Sequence, residues 1–186
     1  MDPTKLIIAK KLTDLLRQEI GPEGCMFDMR SVPRQDDPNV IQHRVFRGRT
    51  DFGDSDPVPC ISILEAPLDP RSQTEVASAG YNREMQINEW LFFIQGWIED
   101  DKENPTDPAY RLAGAIEWQL GKVYATNSRG NATYPDIYMF GRLVSAIRVG
   151  QSVVRPPDDL SSYAYCYLPV VLTLAGDVSK PFQAPE

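Results

Sequence analysis

Glu84-Met-Gln-Ile-Asn-Glu-Trp-Leu-Phe-Phe-Ile-Gln-Gly-Trp-Ile98 is followed by Glu99-Asp-Asp-Lys-Glu-Asn-Pro-Thr-Asp107 and by an apolar-periodic run opening at Pro108. The first part begins with alternation, Met85 and Ile87 against Gln86 and Asn88, as in a strand with one wet face. From Trp90 to Ile94 every residue is apolar, which predicts a strand covered on both faces. Asp107-Pro108 is a helix start: the aspartate can accept free backbone N–H groups, and proline is tolerated in the first helical turn. Leu112, Ala113, Ile116, Leu120 and Val123 then recur on one helical face. A long strand, an acidic turn and a helix returning across the strand form the centre of a two-layer domain.

Working outward, Pro59-Cys-Ile-Ser-Ile-Leu-Glu65 is a second strand, expected to pair with the first as a long antiparallel hairpin. The joining stretch, about 67–83, is rich in Ser, Gln, Ala and Gly and reads as a mobile hairpin arm. Leu143–Val149 is a strand that continues to Val154 past a bulge at Gly150. Tyr163–Leu174 is the last long strand, with Tyr163, Tyr165 and Tyr167 on one face. Pro169 lacks an N–H, so it belongs at an edge or a bulge. At the N-terminus, Leu6, Ile7, Leu12, Leu15, Leu16 and Ile20 predict a helix over 4–20, capped by Thr4 or Asp2 and stopped by Gly21-Pro22. Met26–Met29 and Val40–Phe46 are short strand candidates in a proline- and aspartate-rich region. Tyr134–Phe140 reads either as a helical turn or as an extended piece, and the tail from 176 to 186 as loosely ordered. The expected fold is α+β: a two-layer sandwich with a mostly antiparallel sheet of four or five strands, two helices on one face, and the hairpin arm. At 186 residues, with no composition break, this is one domain spanning the chain.

Composition narrows function more than motifs do. The formal net charge of −7 gives no general attraction to DNA or to an anionic membrane surface. Cys25, Cys60 and Cys166 are far apart, which suits neither a disulfide framework nor a zinc site. The N-terminal helix is amphipathic where a secretory leader is apolar, and no apolar run is long enough to span a bilayer. Nucleotide-binding glycine loops, the nucleophile elbow and the zinc-protease helix motif do not occur. His43, the single histidine, has no Ser, Cys or Asp beside it in a recognisable nucleophile arrangement and reads as an exposed side chain. Asp51-Phe-Gly-Asp54-Ser-Asp56 lacks the ligand spacing and distal glutamate of a calcium loop. No catalytic residue, cofactor or metal is therefore expected. The remaining candidates are surfaces: the arginines Arg44, Arg47 and Arg49, the arm with Arg71, Glu75 and Arg83, and the turn with Glu99, Asp100, Asp101 and Glu103.

Gln95-Gly96-Trp97, the acidic turn, Asn104-Pro105 and the Ala/Leu-rich helix, with a helix before and two strands after, resemble the tail terminator (tail completion) proteins of long-tailed phages. The similarity covers most of the chain; it consists of turn and core residues, and the material around 22–58 and 126–141 is extra relative to smaller members. The resemblance implies a homohexameric ring that caps the tail tube, ends its polymerisation and offers the joint for the head-side connector. It implies a virion protein of the tail or neck, assembled in the host cytoplasm, whose partners are itself, the tail tube protein and the head-side adaptor. DNA would pass through an acidic pore without specific binding, and no membrane is involved. A head-closure or adaptor protein of the neck, a tail tube subunit, and a small enzyme without a recognisable motif are the alternatives. An acidic turn facing a basic patch on the adjacent subunit would close such a ring.

Overall fold

Residues 164–174 alternate between buried and half-buried at every position, with Ala164, Cys166, Leu168, Val170, Leu172 and Leu174 inside. This period of two is that of a strand with one face packed and one face partly open. A computed structural model describes residues 2–34, 37–50, 52–53, 56–66, 89–158, 161–176 and 181–182. In chain order they form α1 (Thr4–Leu16), β1 (Glu19–Ile20), β2 (Phe27–Asp28), β3 (Val32–Pro33), β4 (Ile41–Gln42) and β5 (Val45–Arg47). There follow β6 (Cys60–Glu65), β7 (Glu89–Ile98), α2 (Asp107–Tyr124), the short turn α3 (Met139–Arg142), β8 (Val144–Val149), β9 (Val153–Arg155) and β10 (Ala164–Leu174). The main sheet has the order β5-β6-β7-β10-β8, with β9 also on β10; β1-β2 and β3-β4 are separate small hairpins. All pairings in the main sheet are antiparallel except β5 with β6. The α+β class read from the sequence is the fold. The main sheet has six strands among the described residues where the sequence predicts four or five, because β5 adds to its edge in parallel and the bulge separates β9 from β8.

The packed face of the sheet carries Ile61, Ile63, Trp90, Phe92, Ile94, Cys166, Leu168, Val170 and Leu172, which share one core with Ile8, Leu12, Leu15 and Leu16 of α1 and Leu112, Ile116, Leu120 and Val123 of α2. α2 lies against β7 and β10, the two central strands. It can come this close because position 96 is glycine: a Cβ there would stand 2.8 Å from Leu112 Cδ2 and 3.1 Å from Cys166 Sγ. Pro169 sits opposite the break between β8 and β9, where two residues of β10 (Leu168, Pro169) face three of its neighbour (Gly150 to Ser152). Gly150 donates its N–H to the Pro169 carbonyl at 2.8 Å, and its missing Cβ would otherwise fall 2.6 Å from Pro169 Cγ. The bulge thus accommodates the proline, as its missing N–H demands.

Several expectations change in three dimensions. The first helix ends at Leu16, not at Ile20, because Ile20 pairs with Phe27 in the β1–β2 hairpin. Leu6 is exposed at 37%, and Ile8 takes the core position. Neither Thr4 nor Asp2 caps that helix: Thr4 donates to the Pro181 carbonyl, and the Asp2 carboxylate is bonded to Lys10 Nζ. The second helix has Thr106, not Asp107, as its N-cap, with no side-chain cap bond; the Thr106 carbonyl accepts the Tyr110 N–H at 3.0 Å, which places Asp107 inside the first turn. Leu91 and Phe93 are half-buried, and among the described residues the helices pack on the other face of the run, against Trp90, Phe92 and Ile94. Residues 134–142 make turns: Met139, Phe140, Gly141 and Arg142 have φ of 46°, 52°, 74° and 66°. Only the glycine is at home in that left-handed region; burial of the Phe140 ring, 2% exposed, holds the rest. The arm over 67–83, the start of the central strand at Glu84–Asn88, and most of the tail beyond Gly176 lie outside the described residues.

Candidate functional surfaces

The acidic turn stands clear of the domain although it joins two buried elements. Asp101 builds it: one carboxylate oxygen accepts the backbone N–H groups of Glu103 and Asn104 at 2.9 and 2.8 Å, and these bonds hold its carboxyl below the usual range. Glu99, Asp100 and Glu103 are exposed and make no ion pair among the described residues. The turn therefore offers negative charge that its own subunit leaves unneutralised.

The three arginines make different contacts. Arg44 donates to the Pro59 carbonyl at 3.0 Å. Arg49 pairs with Asp56 at 2.5 Å and lies over the Phe46 and Phe52 rings, 4.7 and 4.6 Å from their centroids. Arg47 alone of the three extends from β5 as an exposed side chain. The Phe52 ring in turn lies 4.3 Å from that of Trp97, centroid to centroid. Two of the arginines thus make contacts within their own subunit. Arg71, Glu75 and Arg83 lie outside the described residues.

Two arrangements were invisible in the sequence. Ser31 Oγ is 2.7 Å from His43 Nδ1, because the β3–β4 ladder sets residue 31 opposite residue 43. No carboxylate is bonded to this ring among the described residues, so nothing orients it for proton transfer as a triad requires; the pair is a cross-strand contact in a peripheral hairpin. The second arrangement lies at the C-terminal end of α2. Lys122 Nζ rests 3.7 Å from the centroid of the Trp118 ring and 5.9 Å from that of Tyr134. Trp118 and Tyr134 are each 41% exposed. Trp118 and Lys122 stand four apart on the helix, a spacing the sequence shows; Tyr134 arrives only because the 126–132 hairpin folds back. Partial burial lowers the Lys122 pKa.

The other ionisable groups are structural. Cys60 and Cys166 are buried, and desolvation pushes both thiols up to about 12. Asp158 is exposed in its turn and accepts the Tyr165 hydroxyl at 2.9 Å. An open groove of about 270 Å³ runs between α1 and the 136–140 turn, with Lys11, Asp14, Gln18 and Asp136 on its rim. Among the described residues no cluster of His, Cys, Asp and Glu is placed to hold a metal ion, and no helix is long and apolar enough to cross a membrane. No protein-family model matches the chain, and no curated protein is detectably similar to it in sequence.

Proposed function

We propose that this chain is a virion structural protein of the tail-terminator kind, six copies of which form a ring that caps a phage tail tube and presents the joint to the head-side connector. The observation that carries this reading is the acidic turn held rigidly by Asp101 on the outside of the central strand–helix unit. It lies within the segment that bears the resemblance, and Glu99, Asp100 and Glu103 are unspent. The Gln95-Gly96-Trp97 part of the same segment has a packing role that supports the reading: Gly96 lets α2 seat on β7 beside Cys166. In a ring of such chains, each with a formal charge of −7, the pore is negative, and DNA slides through it without sticking.

Negative-stain electron microscopy of the purified protein, alone at high concentration and mixed with tail tubes, tests the proposal. Six-fold rings with a central hole, free or seated on one tube end, are expected. A monomer that ignores tubes overturns the reading in favour of a head-side adaptor, which binding to the portal assembly would then show.

A further inference from the structure

α2 carries opposite charge character at its two ends. Ahead of its N-terminus stands the turn with four carboxylates and one lysine, Glu99–Glu103. Near its C-terminus Lys122 lies on Trp118 and beside Tyr134, with no carboxylate partner among the described residues. A cation stacked on aromatic rings, its own charge unneutralised, is a receptor for an acidic segment: the rings supply apolar area, and the ammonium pairs with a carboxylate. The helix has 18 residues and so is about 27 Å long. A subunit therefore cannot fold its own turn onto its own cluster.

We propose that the acidic turn of one copy docks on the Trp118–Lys122–Tyr134 cluster of the next, making the head-to-tail contact of the ring. This deepens the terminator reading and rests on it. The occupant is a second copy because the chain itself displays the complementary charge, fixed in shape by Asp101 and exposed. A contact joining two different patches of identical subunits is heterologous, the kind that generates rings. Trp118 and Lys122 lie on α2 itself and the acidic turn leads into it, so the contact is made by α2 and the segments flanking it.

The test uses the full chain, with rings counted by electron microscopy, free or on tube ends, and association followed by sedimentation. Asp101 is left intact because it folds the turn. Lys122→Glu alone, and Asp100→Lys with Glu103→Lys, are each expected to weaken ring formation at least roughly tenfold, while Lys122→Arg retains it. Combining all three reversals restores rings. A second readout is optical: Trp118 is the exposed one of the three tryptophans, with Trp90 and Trp97 at 6% and 8%. Assembly should shield one tryptophan from a soluble quencher, and Trp118→Phe should abolish that change. Rings that persist in both charge-reversed variants, or a triple variant that fails to recover, overturn the contact while leaving the ring reading intact. Intact rings that no longer seat on tubes would assign the cluster to the tube protein and likewise overturn it. Absence of rings from the wild type, free or on tubes, removes the ring reading and this contact together.

Discussion

At the scale of residues, Gly96 illustrates how one missing methyl sets the distance between layers. Its neighbours Leu112 and Cys166 are fully buried and have little room to retreat. Gly96→Ala is expected to destabilise the fold by about 1–3 kcal/mol, read from urea or thermal unfolding. Leu112→Val in the same chain should recover part of that loss; an unchanged midpoint in the single variant would show that the layers are not in contact there. The cysteines supply a second check. Cys60 and Cys166 have pKa values raised from 9.0 to about 12 by burial, so their thiolates are scarce in the native state. A thiol reagent at pH 8 should label half-buried Cys25 in the native protein and all three cysteines after denaturation. The same shift fixes a sign. Because the folded pKa exceeds the unfolded one, the stabilisation is complete below pH 9 and is lost as pH rises towards 12. Unfolding midpoints should fall across that window.

At the scale of elements, α2 combines a buried stripe that its periodicity announces with an outer face that it does not. Leu112, Ala113, Ile116, Leu120 and Val123 are all inside, as their spacing requires. On the outer face, a Cβ at Gly114 or Gly121 would meet nothing within 4 Å, and Tyr110, Trp118 and Tyr124 are 61%, 41% and 45% exposed. A glycine in an exposed helix interior costs about 0.5–1 kcal/mol relative to alanine through backbone entropy. Gly114→Ala should therefore raise the unfolding free energy of the isolated chain by up to about 1 kcal/mol, measured by chemical denaturation. A loss of stability instead would mean that position 114 is not open. The sheet shows the complementary lesson. The alternation of Ala164–Leu174 and the pairing of Pro169 with a bulge at Gly150 are both legible locally, since each follows from one residue's own side chain or missing donor. The apolar run Trp90–Ile94 is less transparent. Hydrophobicity shows that Leu91 and Phe93 avoid water, but not that they end up half-buried while Trp90, Phe92 and Ile94 between and beside them are inside.

At the scale of the whole molecule, the proposed function rests on where charge is left unspent. Arg44 and Arg49 form a basic patch in the sequence, yet one bonds a carbonyl and the other an aspartate and two rings within the same subunit. Lys122 looks unremarkable in the sequence and emerges as a cation held on aromatic rings. The charge-reversal series follows from this exchange of roles. It belongs to the assembled molecule, because a head-to-tail contact has meaning only when a second copy supplies the other half. Electron microscopy of the wild type reads the remaining geometric choice. The rotation between successive copies either closes the contact into a ring or lets it run on as a filament.

The sequence by itself determined the long strands and the two long helices, the buried face of α2, the bulge at Gly150, and the acidic turn between strand and helix. These depend on the period of apolar residues and on the conformational limits of glycine and proline, properties of neighbours along the chain. Only the tertiary structure decided that Ile20 leaves the first helix to pair with Phe27, that Ser31 meets His43, that Arg49 is committed to Asp56, and that Tyr134 joins Lys122. Each of these pairs residues seven or more positions apart. Which partner a side chain finds over such distances is set by strand register and by how the layers pack, and the local pattern carries no record of either.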